Sequence, residues 1–190
     1  MNCFHKDLAE SQEIGKDAQW VGFYKKTFPG LLGAVGIEEN SAWQKHGIDR
    51  LLLFSNGKQL TVDEKFRRKD YGDFLAEIWS VFYSEESPRN KPGWTVDASK
   101  TCDFIAYALP TSGKCYLLPF EILRLTARKN YLSWREQRPA QNNGYVTINR
   151  SVGWDQLFTE MRATMTRNFG EASLSLAKFD EICGQGIFSF

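Results

Sequence analysis

The spacing of apolar residues changes several times along this chain, and each change marks an element. Ile14, Ala18 and Val21 recur at helical spacing, which predicts a first helix from about Asp7 to Phe28, ended by Pro29-Gly30. Residues 30–46 contain Gly30, Gly33 and Gly36 and read as a loop or broken helix. Two apolar runs follow, Arg50-Leu51-Leu52-Leu53-Phe54 and Gln59-Leu60-Thr61-Val62, separated by Ser55-Asn56-Gly57-Lys58. Asn-Gly between such runs is the strongest short hairpin signal, so strands are expected at about 49–55 and 59–66. In 73–82, Phe74, Ile78 and Phe82 with Trp79 and Val81 suit either a helix or a strand buried on both sides. Residues 84–97 are polar, contain Pro88, Pro92 and Gly93, and read as an exposed loop that could contact a substrate.

Beyond that loop, strands are expected at about 103–109 and 114–118, joined by Pro110-Thr111-Ser112-Gly113. Pro119 suits the first turn of a helix over about 119–130. Its apolar stripe of Ile122 and Leu125 is short, because Thr126 and Lys129 take the next helical positions. A strand at 145–149 follows Asn142-Asn143-Gly144, and a final helix over about 154–167 is expected to bury Leu157, Met161 and Met165. The tail from Phe169 to Phe190 is expected to dock on the body, since exposed aromatics invite association.

Composition narrows the class. At 190 residues, with 42% hydrophobic and 14% aromatic residues, the chain reads as one globular domain, 1–190, with a sizeable core. No apolar stretch of about 18 residues occurs, so no membrane span is expected. The first residues lack the apolar core of a signal peptide, and a cytoplasmic location is expected. Cys3, Cys102, Cys115 and Cys183 form no Cys-x-x-Cys pair, and there are two histidines, so buried free thiols are favoured over a zinc site. No phosphate-binding or dinucleotide glycine motif is present, so no nucleotide cofactor is expected. The net charge of +1 does not announce a nucleic-acid binder. Residues 101–150 nevertheless carry seven Lys or Arg against three acids, a stretch that could follow a phosphate backbone through Arg124, Arg128 and Lys129.

The candidate chemistry lies on the hairpin. A tight turn brings the end of its second strand beside the start of its first, so Asp49 approaches Asp63 and Lys65 across thirteen intervening residues. Asp63 and Lys65 are two apart and share a strand face, while Glu64 points the other way. Mg²⁺ prefers oxygen ligands and usually takes one or two carboxylates, leaving positions for water and a phosphate oxygen. A lysine beside it can orient that water or stabilise charge on the phosphate. Arg67, Arg68 and Lys69 follow closely and are placed to meet phosphates, with Glu77 as their partner. His46, just before Asp49, has a pKa suited to proton transfer near neutrality.

This order of residues resembles the PD-(D/E)xK nuclease superfamily, with its restriction-endonuclease-like fold. Asp49 matches the first aspartate, with Ile48 in place of the proline, and Asp63 and Lys65 match the (D/E)xK pair. Upstream, Ile14-Gly15-Lys16-Asp17-Ala18-Gln19 is similar to a Gly-x-x-Ala-Glu segment in the first helix of small members. The family's glutamate falls on Gln19, so Glu13, Glu10 or the Gln19 carbonyl oxygen would complete the metal ligands. Lys69 to Glu77 resembles the third strand of small phage-type members, and Trp94 to Tyr107 their short helix leading into a fourth. The likeness covers about residues 6–130 and favours strand over helix at 73–82.

It implies an α/β fold with a restriction-endonuclease-like core, a mixed central sheet of about five strands flanked by helices. It implies a Mg²⁺- or Mn²⁺-dependent endonuclease that hydrolyses DNA. Asp49, Asp63 and Lys65 would be catalytic, and Asp49, Asp63, Glu13 and Gln19 would be metal ligands. The small single-domain form points to structure-directed cleavage or to a homodimer. The alternative is a catalytically inactive module of that fold, binding nucleic acid or a protein partner, such as a phage-encoded inhibitor of a host defence system. An unrelated α/β protein with a chance triplet is the third reading.

Overall fold

The structure, a computed structural model, describes residues 18–37 and 41–169, and the backbone of 185–187. In chain order its elements are α1 (Ala18–Thr27), β1 (Leu31–Gly36), α2 (Ser41–Lys45), β2 (Arg50–Phe54), β3 (Gln59–Phe66), β4 (Asp73–Phe82), β5 (Lys91–Pro92), β6 (Phe104–Leu109), β7 (Lys114–Pro119), α3 (Phe120–Asn130), β8 (Arg135–Glu136), β9 (Ala140–Gln141), β10 (Val146–Gly153), α4 (Trp154–Phe169) and β11 (Gln185–Ile187). The class is α/β, a mixed sheet flanked by helices. The described residues form two compact units. One takes the described residues within 18–70, 101–119 and 185–187, the other those within 71–100 and 120–169.

The first unit holds a sheet in the order β1-β2-β3-β6-β7-β11. β1, β2 and β3 are antiparallel neighbours, β3 and β6 run parallel, and β6 and β7 form a second hairpin. The β2–β3 turn closes because Gly57 takes φ +78°, a region open to a residue without Cβ. The Lys58 N–H donates to Asn56 Oδ1 at 3.0 Å in the same turn. α1 covers one face of this sheet. Its Trp20, Phe23 and Tyr24 pack over Leu52, Val62, Ala106, Ala108, Cys115 and Leu117. The strand period of two sends Leu60, Val62, Glu64 and Phe66 of β3 toward this core and Thr61, Asp63 and Lys65 to the opposite face.

The second unit is an antiparallel sheet centred on β4 and β10, with β5 beside β4 and both β8 and β9 beside β10. α4 packs on β4 and β10 and buries Leu157, Met161 and Met165. Because Leu157 is fully buried, Leu157→Ala is expected to destabilise the protein by about 2–5 kcal/mol, measured by urea unfolding. An unchanged unfolding midpoint would contradict this packing.

Several expectations are corrected. Residues 30–46, expected as a loop or broken helix, contain the strand β1, which was not expected, and the short helix α2. β1 lies at a sheet edge with Leu32 70% and Val35 48% exposed, so apolar residues on both sides hid its alternation. Residues 73–82 are a strand, as the likeness favoured, but β4 belongs to the second sheet, and the place beside β3 is taken by β6. Residues 94–102 form turns rather than a short helix. β10 continues to Gly153, four residues past the expected end. Its polar Ser151 is buried because Arg135 Nε and Gln137 Nε2 donate to its hydroxyl at 3.1 and 2.6 Å. Thr126 does not interrupt the stripe of α3: it is buried, and its hydroxyl donates to the Ile122 carbonyl at 2.7 Å. The first-helix residues before Ala18 and most of the tail lie outside the described residues, although the backbone of β11 pairs with β7.

Candidate functional site

The hairpin register runs from Arg50 opposite Val62 to Leu53 opposite Gln59, which sets the residue before β2 beside the end of β3. The Asp49 N–H donates to the Val62 carbonyl at 2.9 Å, and the Asp49 carbonyl accepts from the Ile37 N–H at 3.0 Å. Both backbone groups are thus tied into the sheet, and Asp49 Oδ2 accepts from the Glu64 N–H at 2.9 Å. Asp63 is 2% exposed and lies near the Asp49 carboxyl, whose charge acts on it. Lys65 Nζ donates to Asp63 Oδ1 at 2.5 Å, and its side chain is 28% exposed. On the neighbouring strand Ile105 lies beside Asp63 and Tyr107 beside Lys65. Cys102 is buried against Asp63.

The electrostatics follow from this packing. Burial pushes the Asp63 carboxyl up to about 7, the neighbouring Asp49 adds to the rise, and Lys65 opposes it. Burial works against the Lys65 ammonium, but Asp63 and Asp49 outweigh it and hold its pKa above the ordinary lysine value. Burial, with the Asp63 charge, pushes the Cys102 thiol well up, so it stays protonated. The site therefore holds a buried Asp63 carboxyl whose ionisation is opposed and one ammonium that keeps its proton. A hard divalent cation held by Asp49 and Asp63 would offset the repulsion between the carboxylates. Among the described residues no group of three or more His, Cys, Asp or Glu could hold a metal ion, so Asp49 and Asp63 stand there as a pair. Gln19 lies half-buried near the start of α1, and Glu13 and Glu10 lie outside the described residues.

Behind this pair, on the α1 side of the same strands, is a cluster that sequence reasoning missed. Arg50 Nε and Glu64 Oε1 form a buried ion pair, Arg50 Nη2 donates to Glu64 Oε2 at 3.1 Å, and the Tyr24 hydroxyl donates to Glu64 Oε1 at 2.9 Å. Burial pushes Glu64 up to about 7 against the opposing pull of Arg50 and Tyr24. The available signal was an Arg and a Glu, each on an otherwise apolar strand face, next in sequence to a motif aspartate.

The other candidates are spread more widely. Arg67, half-buried, continues β3 and donates its N–H to the Ala108 carbonyl at 3.0 Å; Arg68 and Lys69 are exposed just beyond it. His46 is exposed, and its carbonyl accepts from the Thr101 N–H at 3.0 Å. Glu77, Arg124, Arg128 and Lys129 belong to the second unit. There Arg124 Nη1 donates to the carbonyls of Lys100 and Asp97 at 2.8 and 3.3 Å, and Arg128 Nη2 to that of Val96 at 2.8 Å. Those guanidinium groups hold a turn of the chain. Lys129 is exposed. Glu77 accepts from the Trp94 N–H through Oε1 at 3.4 Å.

No helix among the described residues is long and apolar enough to cross a membrane. No protein-family model, curated protein or solved structure matches the chain.

Proposed function

We propose that the chain is a Mg²⁺- or Mn²⁺-dependent endonuclease of the PD-(D/E)xK type, hydrolysing DNA in the cytoplasm. One observation carries the reading. Asp49, Asp63 and Lys65 come together at one end of a hairpin, with Asp49 Oδ2 accepting from the Glu64 N–H at 2.9 Å and the Lys65 ammonium at 2.5 Å from Asp63. Asp49 and Asp63 would hold the cation. When bound, it supplies charge neutralisation at the phosphate and lowers the pKa of a water. Lys65 keeps its proton at Nζ and, being partly exposed, can donate a hydrogen bond to the attacking water or to a phosphate oxygen. Arg68 and Lys69, exposed beyond β3, would contact backbone phosphates and make binding salt-dependent. One such site cuts one strand, so double-strand cleavage calls for a homodimer, whereas structure-directed nicking does not.

The test is incubation with linear, nicked and branched DNA, with Mg²⁺, with Mn²⁺ and with chelator. Metal-dependent cutting that vanishes in both Asp63→Ala and Lys65→Ala is the expected result, and cutting that survives both sinks the assignment. A second reading, an inactive nuclease-fold module, draws support from the carboxylate pair standing without a third ligand among the described residues. DNA or protein binding without cutting, unchanged by those substitutions, decides for it.

A further inference from the structure

Two carboxylates side by side repel each other, and a two-strand hairpin does not by itself hold them in place. The residues next to them in sequence, Arg50 and Glu64, pair on the opposite face of the same two strands, with side chains 5% and 7% exposed. The Glu64 N–H is also the donor to Asp49 Oδ2. The peptide that carries the buried glutamate thus directly orients the Asp49 carboxylate. Tyr24 extends the arrangement to α1 through its bond to Glu64.

A one-residue slip of β2 on β3 would turn every side chain to the other face and break this pair. Buried ion pairs contribute little net stability compared with apolar residues of similar volume, so stability alone is a weak reason for one inside this core. We propose that Arg50, Glu64 and Tyr24 are positioning residues for the Asp49–Asp63–Lys65 site, holding the register and the backbone that bring the two carboxyls together. The proposal rests on the nuclease reading of that site.

The decisive variant replaces both charges, Arg50→Met with Glu64→Leu, beside Tyr24→Phe, which removes one hydroxyl from a packed ring. Three quantities are read: the thermal midpoint, kcat and KM for DNA cleavage, and Mn²⁺ affinity by electron paramagnetic resonance without DNA. In the double variant the midpoint is expected to hold or rise, while kcat falls at least tenfold, KM stays within twofold and Mn²⁺ binding weakens at least fivefold. Tyr24→Phe is expected to lower kcat about threefold. Leu157→Ala serves as control, with a lowered midpoint but unchanged kcat at a temperature where it is folded. A folded double variant that cleaves and binds Mn²⁺ like the unsubstituted protein overturns the proposal. If the double variant does not fold, an unaltered Tyr24→Phe overturns it instead. Should the unsubstituted protein cut no DNA, the nuclease reading fails, yet weaker Mn²⁺ binding in the variants still supports positioning. Absence of both cutting and Mn²⁺ binding in the unsubstituted protein overturns both.

Discussion

On the nuclease reading proposed above, replacing Asp63 by asparagine is expected to end cleavage; above neutral pH it is expected to stabilise the protein. The Asp63 carboxyl is raised from an ordinary 3.8 to about 7 in the fold. It therefore binds its proton more tightly folded than unfolded. The associated stability is fully present below about pH 4, declines as pH rises through about 7, and is gone above that. At about 1.4 kcal/mol per tenfold change in proton affinity, this shift is worth on the order of 4 kcal/mol. Asparagine has the same shape without the charge, so the variant escapes that loss. Urea unfolding at pH 8 with chelator should show Asp63→Asn more stable than the unsubstituted protein by roughly 2–4 kcal/mol, and the two should converge near pH 4. Glu64, raised to about 7 in the same way, remains in both proteins and keeps part of the pH dependence. Mg²⁺ should raise the stability of the unsubstituted protein and narrow the gap. Cleavage should fall by about 10³-fold or more, equivalent to about 4 kcal/mol of transition-state stabilisation. Equal stability of the two proteins at pH 8 would contradict the buried carboxyl, and retained cleavage its role.

A second large effect is expected from Gly93→Ala. A Cβ at Gly93 would stand 2.1 Å from the Glu77 carbonyl oxygen and 2.4 Å from its carbon. Both are backbone atoms of β4 and cannot swing aside. The Gly93 N–H also donates to the Ile78 carbonyl at 2.8 Å, which fixes the approach. The following turn is held from α3 by Arg124 and Arg128, and Thr95 Oγ1 accepts from the Glu77 N–H at 3.0 Å. With so little room to relax, the substitution should cost at least about 3 kcal/mol or prevent accumulation of folded protein. Gly22→Ala is the contrasting case. Gly22 is a helical glycine with open space around it, so alanine there should stabilise by up to about 1 kcal/mol. Urea unfolding of the two variants compares them, and a Gly93→Ala protein as stable as the unsubstituted one would refute the close approach.

The β2–β3 hairpin was readable because its signals are local: an Asn-Gly turn, two short apolar runs, and a period of two that sends Asp63 and Lys65 one way and Glu64 the other. The placement of Asp49 beside Asp63 follows from the same turn, since hairpin register depends on loop geometry. α4 was readable because Leu157, Met161 and Met165 fall on one helical face. The glycine-containing strand β1 and the polar half of β10 were missed. Their stability comes from a neighbouring strand and, for β10, from Arg135 and Gln137 meeting Ser151, residues distant in sequence.

The sequence by itself determined the hairpin and the spacing of Asp49, Asp63 and Lys65, because each depends on interactions within a few residues or on period alone. Tertiary structure alone decided which strand lies beside β3, that β4 joins a separate sheet, and that Arg50 and Glu64 pair with Tyr24 behind the carboxylates. Those outcomes depend on burial and on partners far apart in the chain. A charge in an apolar strand looks the same in sequence whether it meets water or a buried counter-charge.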